Sequence, residues 1–260
     1  MRADAFTTIK VLTVGLILAT LVNLPLYAWI FNKPWDWAMG FPLGWLGVGM
    51  NYMATFFHEI GHTVFMWFFG YPTIPMFDFQ HGGGLALALT SQQVMILVFV
   101  WGFIVFGIWF FRDKPWLQIL LGLLLVFNLT FAFSLYHDVF LNFGGPAFES
   151  LVAAFLLFRA IYDLAPRGVF ERFLNAFFGF GMIIKVYIDG YGLLNSKVWR
   201  LVYYEQKGSH GFGDFDKIAD MVRFLTFEHV VLLWIALNTA CLLMPFLMRL
   251  FISPYKEIDI

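Results

Sequence analysis

The chain has 260 residues, of which 61% are hydrophobic, 21% aromatic and only 13% charged, with a formal net charge of −1. An ordinary soluble domain carries roughly 25% charged residues, so a water-facing globule fits poorly, and the mean hydropathy of +0.77 points the same way. The absence of a basic tail argues against nucleic acid as a partner. The single cysteine, Cys241, excludes an internal disulfide and a multi-cysteine zinc cage.

Seven apolar runs follow one another along the chain. The first, residues 11–31, is longer than a signal-peptide core and shows no clear small-residue cleavage site. It reads as an uncleaved span bent near Pro25. The loop 32–42 follows, where Trp35 and Trp37 suit a headgroup zone. The second run, 43–69, is about 40 Å long at roughly 1.5 Å per residue, enough to cross a bilayer with tilt. Gly70 and Tyr71-Pro72 stop it. Residues 70–90 are apolar but rich in turn formers and contain Gly82-Gly83-Gly84, which predicts a short hairpin-like re-entrant loop. Such backbone is tolerated at membrane depth only beside protein or water.

The third and fourth runs cover 91–111 and 116–136, and the fourth ends in His137-Asp138. Asn142 to Pro146, with two glycines, reads as a break before a fifth run at 147–164. A sixth covers 173–194 and includes Lys185 and Asp189, spaced to pair across one helical turn. Residues 195–223 are the most water-compatible part, with Asp214 and Asp216 among several charges, and are too short for a separate domain. The last run is 226–246. The expected fold is an all-α polytopic membrane protein, a single integral domain over 1–260 with six or seven transmembrane helices and the hairpin-like loop. Lys and Arg divide nearly evenly between the two faces, so the chain carries no orientation signal.

The second run contains His58-Glu59-Ile60-Gly61-His62, the pattern H-E-x-x-H. Two histidines four apart lie on one helix face, one turn from each other, within reach of one zinc ion. Glu59 between them is placed to act as a base. Ionisable groups in a membrane-length segment are costly and usually functional. The plain alternative is a pair of core histidines bonded to neighbouring helices. Two imidazoles do not complete a catalytic zinc site, and a third protein ligand is expected. The candidates in or beside apolar runs are Asp138 first, His137 next, then Glu149 and Asp189, with His81 on the loop after the helix.

These residues make the chain resemble the site-2 protease family of intramembrane zinc metalloproteases. The resemblance rests on His58-Glu59-Ile60-Gly61-His62 in a hydrophobic helix and on Gly70-Tyr71-Pro72 with the apolar stretch to Gly82-Gly83-Gly84. It extends to Asn128 followed by His137-Asp138, although Asp138 precedes Val139 where the family has glycine. It covers roughly residues 43–140, a metalloprotease-like core, and leaves 141–260 as additional spans and a short polar loop. It implies zinc as cofactor, a membrane-spanning protein as substrate, and cleavage in or beside that substrate's transmembrane segment. On this reading His58 and His62 bind zinc, Asp138 completes the site and Glu59 is the general base. The alternatives are a non-catalytic, protease-like subunit of a membrane complex and a metal or proton transporter.

Overall fold

The computed structural model describes residues 5–24, 43–78, 83–205 and 213–251. The Trp35 and Trp37 loop, Pro25 and His81 lie outside the described residues. In chain order the elements are α1 (Ala5–Asn23), α2 (Gly44–Phe68), β1 (Thr73–Asp78), β2 (Gly83–Ala88), α3 (Val94–Phe110), α4 (Pro115–Phe131), α5 (His137–Ile161), α6 (Val169–Asn195), α7 (Lys197–Glu205), α8 (Asp214–Met221) and α9 (Phe227–Phe251). Four of these, α1, α5, α6 and α9, are long and apolar enough to cross a membrane, and α3 and α4 are shorter apolar helices of 17 residues. Helix α2 has 25 residues, but Asn51, His58, Glu59 and His62 lower its hydropathy and keep it out of that group.

Helix α6 is the axis of the bundle and packs against α1, α5 and α9, while α5 packs in turn against α2 and α9. Small residues let these helices approach closely, the usual solution where lipid removes the hydrophobic drive for association. Gly15 of α1 lies against Ala176, Gly179 against Ala153 and Leu157, and Gly181 against Met50. One core gathers Met50, Ala54, Ala153, Leu157, Ala176, Phe180, Met182 and Ile183 from α2, α5 and α6. Arg172 is 2% exposed yet satisfied: it pairs with Asp163 at 3.1 Å and donates to the Ala160 carbonyl and to Thr8 Oγ1. It thereby ties α1 to the α5–α6 turn.

The end of α2 follows its sequence closely. Gly70 adopts φ +86°, a conformation that favours glycine. The Tyr71 N–H reaches the Met66 carbonyl and the Gly70 N–H the Trp67 carbonyl, which is a Schellman cap. Two carbonyls left over at this terminus are met by side chains. Asn128 donates to Phe68 O at 2.7 Å, and Gln92 donates to both Phe69 O and Ala132 O. Trp101 in turn donates to Asn128 Oδ1 at 2.6 Å. Asn128, one of the residues behind the family resemblance, thus serves as a helix cap.

The expected loop after α2 contains a two-stranded antiparallel hairpin, with Thr73 opposite Ala88 and Asp78 opposite Gly83. It folds back on α2: Trp67 Nε1 donates to Thr73 O, and the Phe77 ring packs 4.7 Å from that of Phe56. Ile74, Met76, Leu85 and Leu87 are exposed on it.

Two expected boundaries change. The fourth run ends as a helix at Phe131, so His137 and Asp138 open α5 instead of closing α4. Gly144-Gly145-Pro146 does not break the chain but lies inside α5, fully buried. Proline and glycine are tolerated within such helices. Trp234 Nε1 donates to the Pro146 carbonyl at 3.2 Å and so ties α9 to this point of α5. The glycines are explained by what crosses them. A Cβ on Gly61 of α2 would lie 2.5 Å from Gly144 O and 3.0 Å from Gly145 Cα, so the two helices touch backbone to backbone.

Candidate metal centre

The close crossing of α2 and α5 puts the two imidazoles directly over Gly145. A Cβ there would lie 2.4 Å from His62 Nε2 and 2.7 Å from His58 Nε2. The rings are partly buried, and their Nε2 atoms face each other at 3.1 Å. The third group is Asp214, at the first position of α8. Its Oδ2 lies 3.2 Å from His58 Nε2 and 3.4 Å from His62 Nε2. Among the described residues, these three form the one His, Cys, Asp and Glu group whose donor atoms converge within 4.8 Å.

The dimensions suit a cation. A tetrahedral zinc with bonds of about 2.0–2.1 Å separates its ligand atoms by roughly 3.3–3.4 Å. The observed triangle has edges of 3.1, 3.2 and 3.4 Å. Hydrogen bonding on the far side of the His62 ring gives the same answer. His62 Nδ1 sits 2.7 Å from the Leu141 carbonyl, which only accepts, so Nδ1 carries the hydrogen and Nε2 of the neutral ring presents its lone pair. His58 Nδ1 faces Glu149 Oε2 at 3.7 Å, a charge contact longer than a hydrogen bond. Two ring nitrogens and a carboxylate oxygen therefore meet. One proton bridges at most two of them, whereas one divalent cation satisfies all three.

Asp214 reaches this place through packing outside the long helices. An eight-residue helix is marginal alone. Here Phe215 and Ile218 are buried with Val186, Val230, Val231 and Trp234, each such side chain contributing about 1.5–3 kcal/mol. Asp216 Oδ2 accepts from the Gly213 N–H at 3.1 Å and caps the helix that Asp214 opens. Gly213 lies under Tyr203, whose hydroxyl would be 1.8 Å from a Cβ at that position. Burial first, then the Asp214 and Asp216 carboxylates, push the Tyr203 hydroxyl above the usual phenol range, so it stays neutral.

The other expected residues are arranged differently. Asp138 and His137, the expected third ligands, pair with each other at 3.1 Å in the first turn of α5 and do not join the triangle. His137 also bonds to Tyr71 Oη at 2.7 Å and to the Ser134 carbonyl. They miss the histidine pair because the helix start at 137 places them a turn beyond Leu141, the residue that meets His62. Glu149 stands behind His58, on the ring face away from the triangle. Asp189 pairs with Lys185. Glu59 is 7% exposed and lies beneath β2, where a Cβ on Gly84 would sit 2.3 Å from its Cγ and 2.9 Å from its Oε1.

No family model, curated protein or solved structure matches the chain. Asp214 lacks the signal used to choose ligands from sequence, since it sits in the water-compatible segment and not beside an apolar run. The available sign is the Gly-Asp-Phe-Asp stretch at 213–216, where the second aspartate suits the cap of a helix that the first opens.

Proposed function

We propose that the chain is a multi-pass membrane zinc metallopeptidase of the site-2 type, hydrolysing peptide bonds in or beside membrane-spanning segments of other proteins. The observation that carries this is the triangle of His58 Nε2, His62 Nε2 and Asp214 Oδ2, with a buried glutamate between the histidines in sequence. Those three atoms would hold the zinc. When bound, zinc polarises a carbonyl and lowers the pKa of a coordinated water to about 7. Two histidines and a carboxylate also suit iron(II) in oxygenases; Glu59, placed as a base on the same helical turn, favours hydrolysis.

The chain's own groups supply the remaining functions. Glu59 takes a proton from the attacking water and returns it to the leaving amine. Gly145 keeps the floor beneath the imidazoles free of side chain. The hairpin guides the substrate: β2 runs over Glu59 at Gly84 and, among the described residues, pairs only with β1. An unwound substrate strand adding to β2 would bring its carbonyls past the base, since strand addition supplies main-chain hydrogen bonds. The exposed Leu85 and Leu87 suit an apolar substrate or lipid. Four membrane-length helices and two shorter apolar ones support the multi-pass placement.

The test is Glu59→Gln in the full chain, purified in detergent and assayed on a panel of transmembrane peptides. The expected result is one zinc per chain in both proteins and cleavage only by the wild type. Equal cleavage by the variant overturns the enzymatic reading. Zinc flux across sealed vesicles, with no cleavage by either protein, would favour transport instead.

A further inference from the structure

Behind His58 a line of buried charge crosses from α5 to α6. Glu149 is 2% exposed. One carboxylate oxygen, Oε2, lies 3.7 Å from His58 Nδ1, and the other, Oε1, lies 3.7 Å from Lys185 Nζ. Lys185 donates to Asp189 Oδ2 at 2.7 Å, one turn along α6. Charges in such a setting are expensive unless paired. The Lys185–Asp189 pair is complete without Glu149, whose Oε1 has no hydrogen-bond partner among the described residues. Its Oε2 is directed at the imidazole.

We propose that Glu149 is a positioning residue for His58, and that Lys185, steadied by Asp189, positions Glu149. Metal affinity is then set partly by α6, which contributes no ligand. Glu149 holds the His58 Nδ1–H toward itself and so keeps the Nε2 lone pair on the metal side. Carboxylates that orient ligating histidines in this way are worth about 10–100-fold in metal affinity. At 3.7 Å the contact is longer than a hydrogen bond, which places the expected effect at the lower end.

The inference rests on the metal-centre reading, and the experiment separates the two. Full-length chain in detergent is titrated with zinc against a chromophoric chelator, and with cobalt(II) to record its visible spectrum. Glu149→Gln should weaken zinc by about tenfold and shift the cobalt bands. The double variant Lys185→Met with Asp189→Asn, which removes the pair without stranding either charge, should act in the same direction by less. A purely structural role would lower the melting temperature of the metal-free protein while leaving affinity and spectrum unchanged in the folded fraction. That result in either variant overturns the proposal. Failure of the wild type itself to bind zinc or cobalt overturns both the proposal and the metal centre.

Discussion

Substituting Gly145 by alanine probes the donor triangle without touching a donor. The new Cβ would fall 2.4 Å from His62 Nε2 and 2.7 Å from His58 Nε2. Carbon contacts relax only near 3.5–4.0 Å, so the two ring nitrogens must retreat by about 1 Å or more. The rings can swing, so the chain still folds. Overpacking costs about 1–3 kcal/mol, partly offset by the ~1 kcal/mol that alanine gains over glycine inside a helix. Swinging separates His62 Nδ1 from the Leu141 carbonyl and opens the edges now at 3.1 to 3.4 Å. Zinc affinity should therefore fall by more than the ~100-fold upper bound for changes around a ligand shell, while the unfolding midpoint moves little. Chelator competition and thermal unfolding on the same preparation measure both. A Gly145→Ala protein that binds one zinc as tightly as wild type would refute the placement of the metal over Gly145.

Three further outcomes follow from the geometry. Asp214→Asn should reduce zinc stoichiometry in dialysed protein to well below one, whereas Asp138→Asn should leave it unchanged; the reverse pattern would restore Asp138 as the ligand. Gly213→Ala places a Cβ 1.8 Å from Tyr203 Oη and so displaces the start of α8. It should weaken zinc binding, with partial recovery when Tyr203→Ala is added, read by the same competition titration. Asn128→Ala strips a buried donor from the Phe68 carbonyl and a buried acceptor from Trp101. It should cost about 1–3 kcal/mol in detergent unfolding while leaving zinc stoichiometry intact.

Much of the scaffold can be read from local chemistry. The H-E-x-x-H spacing puts both imidazoles on one face of α2, Gly70 stops that helix, and the glycine-rich apolar stretch after it turns back as a hairpin. Each depends on residues close in sequence. What escapes depends on partners far away. Gly144-Gly145-Pro146 carries the residues of a break, and only the approach of Gly61 from α2 shows why a continuous helix has two glycines there. Asp214 escapes for a related reason. Carboxylates near apolar runs stand out because burying them is costly, but this one is delivered from a polar segment by the burial of its neighbours Phe215 and Ile218. Glu149 is visible as an unusual acid, yet its part behind His58 emerges only from the crossing of α5 over α2.

The central claim is that one divalent cation is held by two imidazole nitrogens and the Asp214 carboxylate. X-ray absorption at the zinc edge of the purified full-length chain measures that shell directly. The account predicts one zinc with two imidazole nitrogens and at least one oxygen, all at about 2.0–2.2 Å, and loss of the two-imidazole scattering signature in His58→Ala with His62→Ala. A chain that retains no metal, or whose zinc has no imidazole neighbours, would contradict it.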